Sequence, residues 1–360
     1  MKGKTQSRPY PQAPVQPVHS TIFMAALLGL GALLAPGSLA APLAAQEDEP
    51  RVQLGGWVRS ELGADFVNGA DPLQSGATAL RLDLRGGDRD VGSAEASALL
   101  SLDYNKAGAP SVDYDIYTLA FTVYAGDVDL SMGRLIANYG TGTVFSPTDI
   151  FSDVNPVDFS RSGTELARLI WYTGDFSALE AVRTLSKPFN DVDALLRYRD
   201  QFAGWDWGAQ AIWFGGTPDG DEDAALAFGL DTKGDLFFGI SAEALARLPL
   251  SWQGFDGDVE WTLMGGLDWS IRGKLMIDAE YQWSNRGEAH QLFFSLSSPI
   301  SLTLSISAHA IFMPASEQCL AIGAANWDFA RAARADLRYS YTTGPLQEAH
   351  IIRAGVQYSF

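Results

Sequence analysis

Apolar and polar residues alternate with a period of two through most of the chain after residue 50. In one run the apolar row is Ala333, Ala335, Leu337, Tyr339 and Tyr341, and the polar row between them is Arg334, Asp336, Arg338 and Ser340. Similar runs occupy 94–104, 259–269, 275–283 and 302–312. Each run has about 10 residues, the length of a tilted strand that crosses a bilayer. The pattern therefore predicts long antiparallel strands with one apolar and one polar face.

A soluble β-sandwich also produces such alternation, but three features favour a membrane barrel. Strands of soluble sandwiches usually have about 5–6 residues, roughly half the length predicted here. The apolar rows repeatedly end in Trp or Tyr, as at Trp261, Trp269 and Trp283, which is typical of aromatic girdles at the two membrane interfaces. The polar rows carry charges of both signs, which a water-filled lumen tolerates and a dry core does not. The predicted fold class is all-β, a single transmembrane antiparallel β-barrel.

The pattern predicts about 18 strands, with 16 to 18 as the accepted range for residues 46–360. The linkers alternate in length. Short linkers are predicted at 125–126, 173–175, 232–234 and 272–273, and longer polar ones at 65–76, 137–164, 215–222, 247–257 and 343–348. Short periplasmic turns and long outer loops produce this alternation when both termini are periplasmic.

The first 45 residues have the organisation of a cleaved signal peptide. Lys2, Lys4 and Arg8 precede an apolar run at 21–34, and a stretch of small residues follows it. The run is too short for a spanning helix, which needs about 20 apolar residues. We expect cleavage after Ala40 or Ala45, and therefore export to the bacterial envelope.

The charge of the chain excludes one class of partner. The formal net charge is −18, and all 43 acidic residues follow the predicted leader, as do 22 of the 25 basic ones, which gives 22 − 43 = −21 for residues 46–360. A surface this acidic is unsuited to binding nucleic acid through its phosphates, so no nucleic-acid partner is expected.

The last residues of the chain form an alternating row that ends in an aromatic residue: Ile352, Ala354, Val356, Tyr358 and Phe360. This row resembles the C-terminal β-signal of bacterial outer-membrane proteins. The resemblance implies that the outer-membrane insertion machinery recognises Tyr358 and Phe360. Its physical sense is that the last strand must pair with the first, because an open sheet edge in lipid leaves backbone groups without partners.

The longest predicted loop, 137–164, carries a second resemblance. The matching residues are Gly133, Arg134, Tyr139, Gly140, Gly142, Pro147, Asp149, Phe151, Asn155, Pro156, Asp158 and Gly163. They resemble a G-R-Q-x-x-x-W-G-x-G, P-x-D-x-F, N-P-x-D pattern of porin-like bacterial outer-membrane β-barrels. Leu135 and Tyr139 depart from the Gln and Trp of that pattern, and the resemblance covers only 133–186. It implies a porin-like channel.

The composition of this loop suggests where it lies. Glycines and prolines indicate a series of turns, yet the loop also carries the bulky apolar residues Tyr139, Val144, Phe145, Ile150, Phe151 and Phe159. One hypothesis is that the loop folds inward and constricts the pore, with Asp149, Asp153 and Asp158 facing Arg134, Arg161 and Arg168 across it and setting a field that selects solutes. The alternative is a structured loop whose Asp residues cap turns and whose apolar residues pack locally.

The polar rows supply the predicted lumen charges. They are Arg81, Asp83, Arg85, Asp193, Arg197, Arg199, Glu280, Arg334, Asp336 and Arg338, with Arg59, Glu61, Asp206, Glu243 and Arg353 beside them. Such charges either pair with one another and fill the lumen or act on solutes. The acid excess suggests a preference for cations, although acidic residues at 219–223 are also suited to divalent ions near lipopolysaccharide.

No catalytic motif, cofactor or metal site is expected, since the sequence has no HExxH motif, no phosphate loop and no calcium-hand spacing. Three functions stay open: a passive channel for small polar solutes, a substrate-specific transporter or exporter for a polysaccharide or apolar ligand, and a plugged barrel with a structural or adhesive role. The expected partners are outer-membrane lipid and lipopolysaccharide, the insertion machinery and small solutes. An oligomer is compatible with the apolar outer face.

Overall fold

The computed structural model describes residues 52–360, apart from 69–70, 89–90, 106–108, 153, 156, 158, 186–192, 217–223, 252–253, 256–257, 287–288 and 346. The predicted signal peptide, both predicted cleavage positions and the acidic stretch at 219–223 lie outside the described residues. No helix within the described part of the chain is long and apolar enough to cross a membrane.

Nearly all of the described chain is β-strand. The strands are β1 Gln53–Val67, β2 Leu73–Asp88, β3 Gly92–Asn105, β4 Ser111–Ala125, β5 Val128–Leu135, β6 Thr164–Tyr172, β7 Ala178–Thr184, β8 Ala194–Phe202, β9 Trp205–Phe214, β10 Ala225–Asp235, β11 Gly239–Ser251, β12 Gly254–Phe255, β13 Glu260–Ile271, β14 Leu275–Ser284, β15 Ala289–Pro299, β16 Leu304–Met313, β17 Gln318–Ala330, β18 Ala333–Gly344 and β19 Gln347–Ser359. One 3₁₀ turn, Pro314–Ser316, precedes β17.

The strands close into one antiparallel barrel. Each strand pairs with its neighbours in sequence, and β1 pairs with both β2 and β19. The two-residue β12 pairs only with the end of β11, so the wall has eighteen strands. The predicted fold class is therefore confirmed, and the count lies at the upper end of the predicted range. Closure leaves no sheet edge, so every strand of the wall has a hydrogen-bonding neighbour on both sides, as a β-structure in lipid requires.

The four longest connections, those after β5, β7, β9 and β11, leave from the same rim, whereas the connections after β14, β16 and β18 have only two to four residues, so the predicted alternation in length holds only in part. Those following β1, β3, β5, β7, β9, β11, β14, β16 and β18 leave from one end of the barrel, which we name the long-loop rim. Those following β2, β4, β6, β8, β10, β13, β15 and β17 leave from the other end, the short-turn rim, where the chain also ends at Phe360.

One predicted turn was wrong. Residues 232–234 lie inside β10, and the turn follows at 236–238. A Cβ on Gly234 would lie 2.3 Å from the ring of Trp205, so this glycine allows a close approach between strands and does not make a turn. Three long loops are also shorter than predicted, because β2 begins at Leu73, β11 continues to Ser251, and only 345–346 separate β18 from β19.

The outer face of the wall is apolar and ends in aromatic residues at both rims. Exposed Trp171, Trp207, Trp269 and Trp327 lie near the short-turn rim, and Trp213, Trp261, Tyr281 and Tyr339 near the long-loop rim. Two such rows are the arrangement that a membrane barrel presents to the two interfaces of a bilayer.

Glycine permits the closing strand pair. Gly56 and Phe360 exchange two backbone hydrogen bonds, at 3.1 and 3.0 Å. A Cβ on Gly56 would lie 2.1 Å from the carbonyl oxygen of Arg81 and 3.1 Å from the ring of Phe360. Any larger residue at this outward position would therefore collide with the backbone of β2 and with the terminal aromatic ring.

Candidate functional site

The unpaired stretch between β5 and β6, residues 136–163, lies against inward-facing side chains of the wall, and we name it the inner loop. Its main partner on β11 is Glu243, which is 3% exposed. The carboxylate accepts hydrogen bonds from the backbone N–H of Thr141 at 2.6 Å, Gly142 at 2.9 Å and Thr148 at 3.1 Å, and from the Thr148 hydroxyl at 2.6 Å. A buried carboxylate requires such donors, and the loop supplies them.

A second buried carboxylate holds the next turn of the inner loop. Glu280 on β14 is 4% exposed and accepts hydrogen bonds from three successive backbone N–H groups, those of Thr143, Val144 at 3.0 Å and Phe145 at 2.9 Å. The ring of Phe145 is buried in an apolar cluster with Met264, Phe293 and Ile311. Polar and apolar contacts thus fix the same few residues to the wall.

Tyr139 anchors the start of the inner loop. Its ring is 1% exposed, and the carbons of the Arg168 and Arg197 guanidinium groups lie 5.8 and 5.9 Å from its centre. The phenol donates to Glu180 Oε1 at 2.7 Å, and Arg197 donates to the Tyr139 carbonyl. Burial, and next the charge of Glu180, raise the pKa of the phenol, so Tyr139 stays a hydrogen-bond donor.

The charges predicted to oppose one another across the lumen are arranged differently. Asp149 and Arg161 form an ion pair at 2.5 Å within the inner loop, and Ser152 donates to the same carboxylate. Arg134 instead pairs with Asp115 on β4 at 3.5 Å, and Arg168 pairs with Glu180. The expected field across a constriction is therefore not formed by Asp149, because local partners satisfy it. Asp153 and Asp158 lie outside the described residues.

Burial has a larger effect on the pKa of the Asp149 carboxyl than its hydrogen-bond and ion-pair partners have. Burial raises its pKa above the ordinary value, while the hydrogen bond from Ser152 and the charge of Arg161 lower it, and burial prevails. An ion pair this deeply buried is a weak source of stability, since the cost of desolvation opposes the attraction.

The wall of β18, β19 and β1 carries a network of paired charges. Arg59 donates to Glu61 and to Asp336, each at 2.9 Å. Arg353 lies 3.5 Å from Glu61 and also pairs with Asp65. These groups keep partial exposure, with about a fifth of the Arg59 and Arg353 side chains accessible (23% and 21%). They therefore line space that the inner loop does not fill.

A bulge shapes the neighbouring wall. The register between β3 and β4 shifts at Ser97 and Ala98, which leaves Tyr117 without a cross-strand partner. Arg81 lies 5.4 Å from the centre of the Tyr117 ring and pairs with Asp83 at 2.9 Å, and Ser97 donates to Asp83 at 2.6 Å. The bulge thus adds an aromatic side chain to a charged cluster.

The remaining predicted lumen charges differ in whether they are paired and in where along the barrel they lie. Arg197 pairs with Asp231 behind the inner loop, and Arg334 pairs with Asp328 near the short-turn rim. Asp193 accepts a hydrogen bond from the Gly215 N–H in the long-loop rim. Arg85 lies 3.9 Å from Glu95, and Arg199 is exposed on β8. Arg338 lies directly opposite Arg353 in the β18–β19 register.

Sequence reasoning missed Glu180, Asp231 and Tyr117. The sequence did contain a signal for Glu180. It is the one carboxylate on the face of β7 that also carries Ala178, Val182 and Thr184, and all four residues are buried. Within the described residues, no group of three or more His, Cys, Asp or Glu side chains is arranged to hold a metal ion.

Comparison with known proteins identifies the fold. No family model and no curated protein sequence matches the chain. OpdQ of Pseudomonas aeruginosa is similar in structure, with a TM-score of 0.61 at 9% identity over 86% of this chain and 98% of that one. OccK2 (OpdF) of the same organism, solved with glucuronate, gives 0.61 at 10% over 86% and 98%, and its outer membrane protein OpdK, solved with vanillate, gives 0.59 at 10% over 85% and 98%. The chain therefore has the fold of these Pseudomonas barrels.

Proposed function

We propose that the protein is a porin-like channel of the bacterial outer membrane, through which small polar solutes diffuse passively. The main support for this proposal is that the inner loop covers one side of the barrel interior and leaves the other side accessible. On the side covered by the inner loop, Glu243 and Glu280 are almost inaccessible. On the other side, the side chains of Arg81 and Asp83 remain 32% and 35% exposed. A solvated, charged strip along one side of a barrel is a pathway for hydrated solutes.

In this proposal the inner loop is the constriction. The loop is attached to the wall through Glu243, Glu280 and Tyr139, so it narrows the lumen as an ordered segment. Because Asp149 and Arg161 neutralise each other inside the loop, the charges that the described residues offer to a solute belong to the wall. We infer that Arg338 is the main one, because Arg81 is paired with Asp83, and Arg353 with Glu61 and Asp65.

Arg338 is suited to contact an anionic solute. Within the described residues no acidic side chain lies within ion-pair distance of it, and the guanidinium of Arg353 is on the adjacent strand. Because Arg353 is already paired with Glu61 and Asp65, Arg338 is the guanidinium left to bind a carboxylate. Glucuronate and vanillate, present in the OccK2 and OpdK structures, both carry one carboxylate. This chemistry favours small organic anions over the cations suggested by the net charge.

The same proposal orients the barrel. The short-turn rim, with the C-terminus, faces the periplasm, and the long-loop rim faces lipopolysaccharide. Residues 1–45 act as the export signal, and the terminal strand with Tyr358 and Phe360 is the segment recognised during insertion. The apolar outer face supports contact with lipid along the wall.

Swelling of proteoliposomes tests the proposal. Liposomes containing the protein are placed in isotonic glucose or isotonic glucuronate, two solutes of similar size. We expect both to enter, and we expect Arg338→Gln to lower the ratio of glucuronate to glucose entry several-fold. Arg286→Gln, which alters an exposed arginine at the long-loop rim, is the matched control and should leave the ratio unchanged. Absence of swelling in both solutes from a folded barrel would contradict a passive channel and favour a ligand-specific transporter or a plugged structural barrel.

A further inference from the structure

Three adjacent turns of the short-turn rim carry phenylalanines that the barrel leaves exposed. Phe176 lies in the β6–β7 turn, Phe202 at the end of β8 and Phe237 in the β10–β11 turn. Phe237 is 94% exposed, and Leu236 and Phe238 flank it. We name these five residues the turn patch. Apolar side chains at the tips of turns contribute nothing to the interior of the barrel, so their position requires another explanation.

The exposed apolar side chains of the short-turn rim are most concentrated in the β6–β11 sector. The β4–β5 turn has Gly126 and Asp127, and the β13–β14 turn has Arg272 and Lys274. The β17–β18 turn begins with an exposed arginine, Arg331. A short turn of this barrel therefore does not need an aromatic residue, although Phe329 near the end of β17 and Val91 before β3 are also exposed. A smaller apolar pair, Ile300 and Leu302, occurs in the β15–β16 turn.

The turn patch is continuous with the lipid-facing wall. Trp171 lies on the outer face near the end of β6, and Trp205 and Trp207 lie near the start of β9 with ring centres 6.5 Å apart. The ring of Trp205 lies over Gly234, one residue before the end of β10. Apolar surface therefore extends from the wall toward the turns at this strand pair, with the polar residues Thr232 and Asp200 opposite Trp207.

We propose that the turn patch inserts into the headgroup–acyl boundary of the bilayer leaflet at the short-turn rim. This inference rests on the proposed membrane location and adds a lipid contact beyond the strand wall. Aromatic rings are favoured at this boundary, where apolar faces lie about 5–10 Å deep. Exposed Asp175 and Asp235 beside the phenylalanines limit insertion to headgroup depth.

Depth-dependent quenching tests this placement. The single native cysteine is replaced by Cys319→Ser, and a thiol-reactive NBD fluorophore is attached to Phe237→Cys or Phe202→Cys. Two reference sites carry the same fluorophore: Leu230→Cys on the lipid-facing wall and Asp127→Cys in a polar turn. The proteins are placed in phosphatidylcholine–phosphatidylglycerol vesicles whose lipids carry bromine either near the headgroup or deep in the acyl chain.

We expect the probes at Phe237 and Phe202 to be quenched several-fold more than the Asp127 probe, and most strongly by shallow bromine. If both turn probes behave as the Asp127 probe does while the Leu230 probe is quenched, the turns lie in water and the proposal is overturned; the patch is then free for a periplasmic protein. If the Leu230 probe is also unquenched, the barrel is not in the bilayer, and the proposed membrane location fails together with this inference.

Discussion

The backbone nitrogen of Phe145 lies 2.9 Å from Oε2 of Glu280, on a strand 135 residues further along the chain. Thr143 and Val144 donate to the same carboxylate, so three successive N–H groups converge on it. Such a concave group of N–H donors commonly binds an anion. Here the anion is a side chain of the wall, and the result is a loop attached to the inside of the barrel.

Replacing this carboxylate should loosen the inner loop. In Glu280→Gln the amide cannot accept three charge-assisted hydrogen bonds, each of which contributes about 1.5–3 kcal/mol. We expect more frequent fluctuations of the open-channel current and a larger mean conductance in planar bilayers. Glu348→Gln, at the exposed long-loop rim, is the matched control. A current trace for Glu280→Gln that is identical to wild type would show that Glu280 does not hold the loop.

Two substitutions at Tyr139 distinguish the contribution of its hydrogen bond from that of its buried ring. Tyr139→Phe removes one hydrogen bond to Glu180, while Arg168 continues to pair with that carboxylate, so we expect a loss of about 1 kcal/mol. Tyr139→Ala also removes a fully buried ring and should cost about 3–5 kcal/mol. The free energy of unfolding in urea, measured in lipid vesicles, distinguishes the two. Equal losses for both variants would mean that the ring contributes nothing beyond its hydroxyl.

Barrel closure depends on Gly56. Gly56→Val places a branched side chain where even a Cβ would lie 2.1 Å from a backbone oxygen, so we expect a marked fall in the yield of folded barrel. Gly265→Val is a suitable control, because a Cβ at that strand glycine has no neighbour within 4 Å. Yield is measured from the shift in electrophoretic mobility between unheated and heated samples. Comparable yields for the two variants would contradict the assigned β1–β2 register, which places the Arg81 carbonyl against Gly56.

The ion pair within the inner loop predicts a dependence of stability on pH. Since the folded-state pKa of Asp149 is raised above its ordinary value of 3.8, the folded protein binds this proton more tightly than the unfolded chain does. The resulting stability is fully present below the ordinary pKa and is lost as pH rises through the folded-state pKa. Asp149→Asn does not titrate. Wild type should therefore lose stability relative to Asp149→Asn as pH rises from about 3.5 to 7.

The urea midpoints of wild type and Asp149→Asn, compared in the same buffers, check this prediction. A difference that stays constant with pH would mean that Asp149 titrates normally. A difference that grows in favour of wild type at high pH would mean that the attraction of Arg161 exceeds the cost of burial.

The strands were predictable because each has one face in contact with lipid, which imposes the period of two seen at Leu337, Tyr339 and Tyr341. The false turn at 232–234 arose because Gly234 has the composition of a turn residue, whereas its actual reason, the ring of Trp205, comes from a neighbouring strand. Sequence patterns report local periodicity, and this contact is not local.

The site was less predictable for the same reason. Glu243 and Glu280 appeared in the polar rows of their strands, but nothing local shows that both bind the backbone of a loop about 100 to 140 residues away. The sequence also did not show that the partner of Asp149 is Arg161, which is only 12 residues further along the chain and lies in the same loop. The residue types predicted that the loop and the wall are charged. Which of these charges are paired within the protein, and which can contact a solute, depends on the folded structure.

The central claim is that an open pathway exists and that the inner loop narrows it. Single-channel conductance in planar bilayers tests it most directly, with wild type beside a variant in which residues 143–160 are replaced by two glycines. We predict steady ion-conducting steps from wild type and larger steps from the variant. Equal steps would contradict the constriction, and no current from either folded protein would contradict the channel itself.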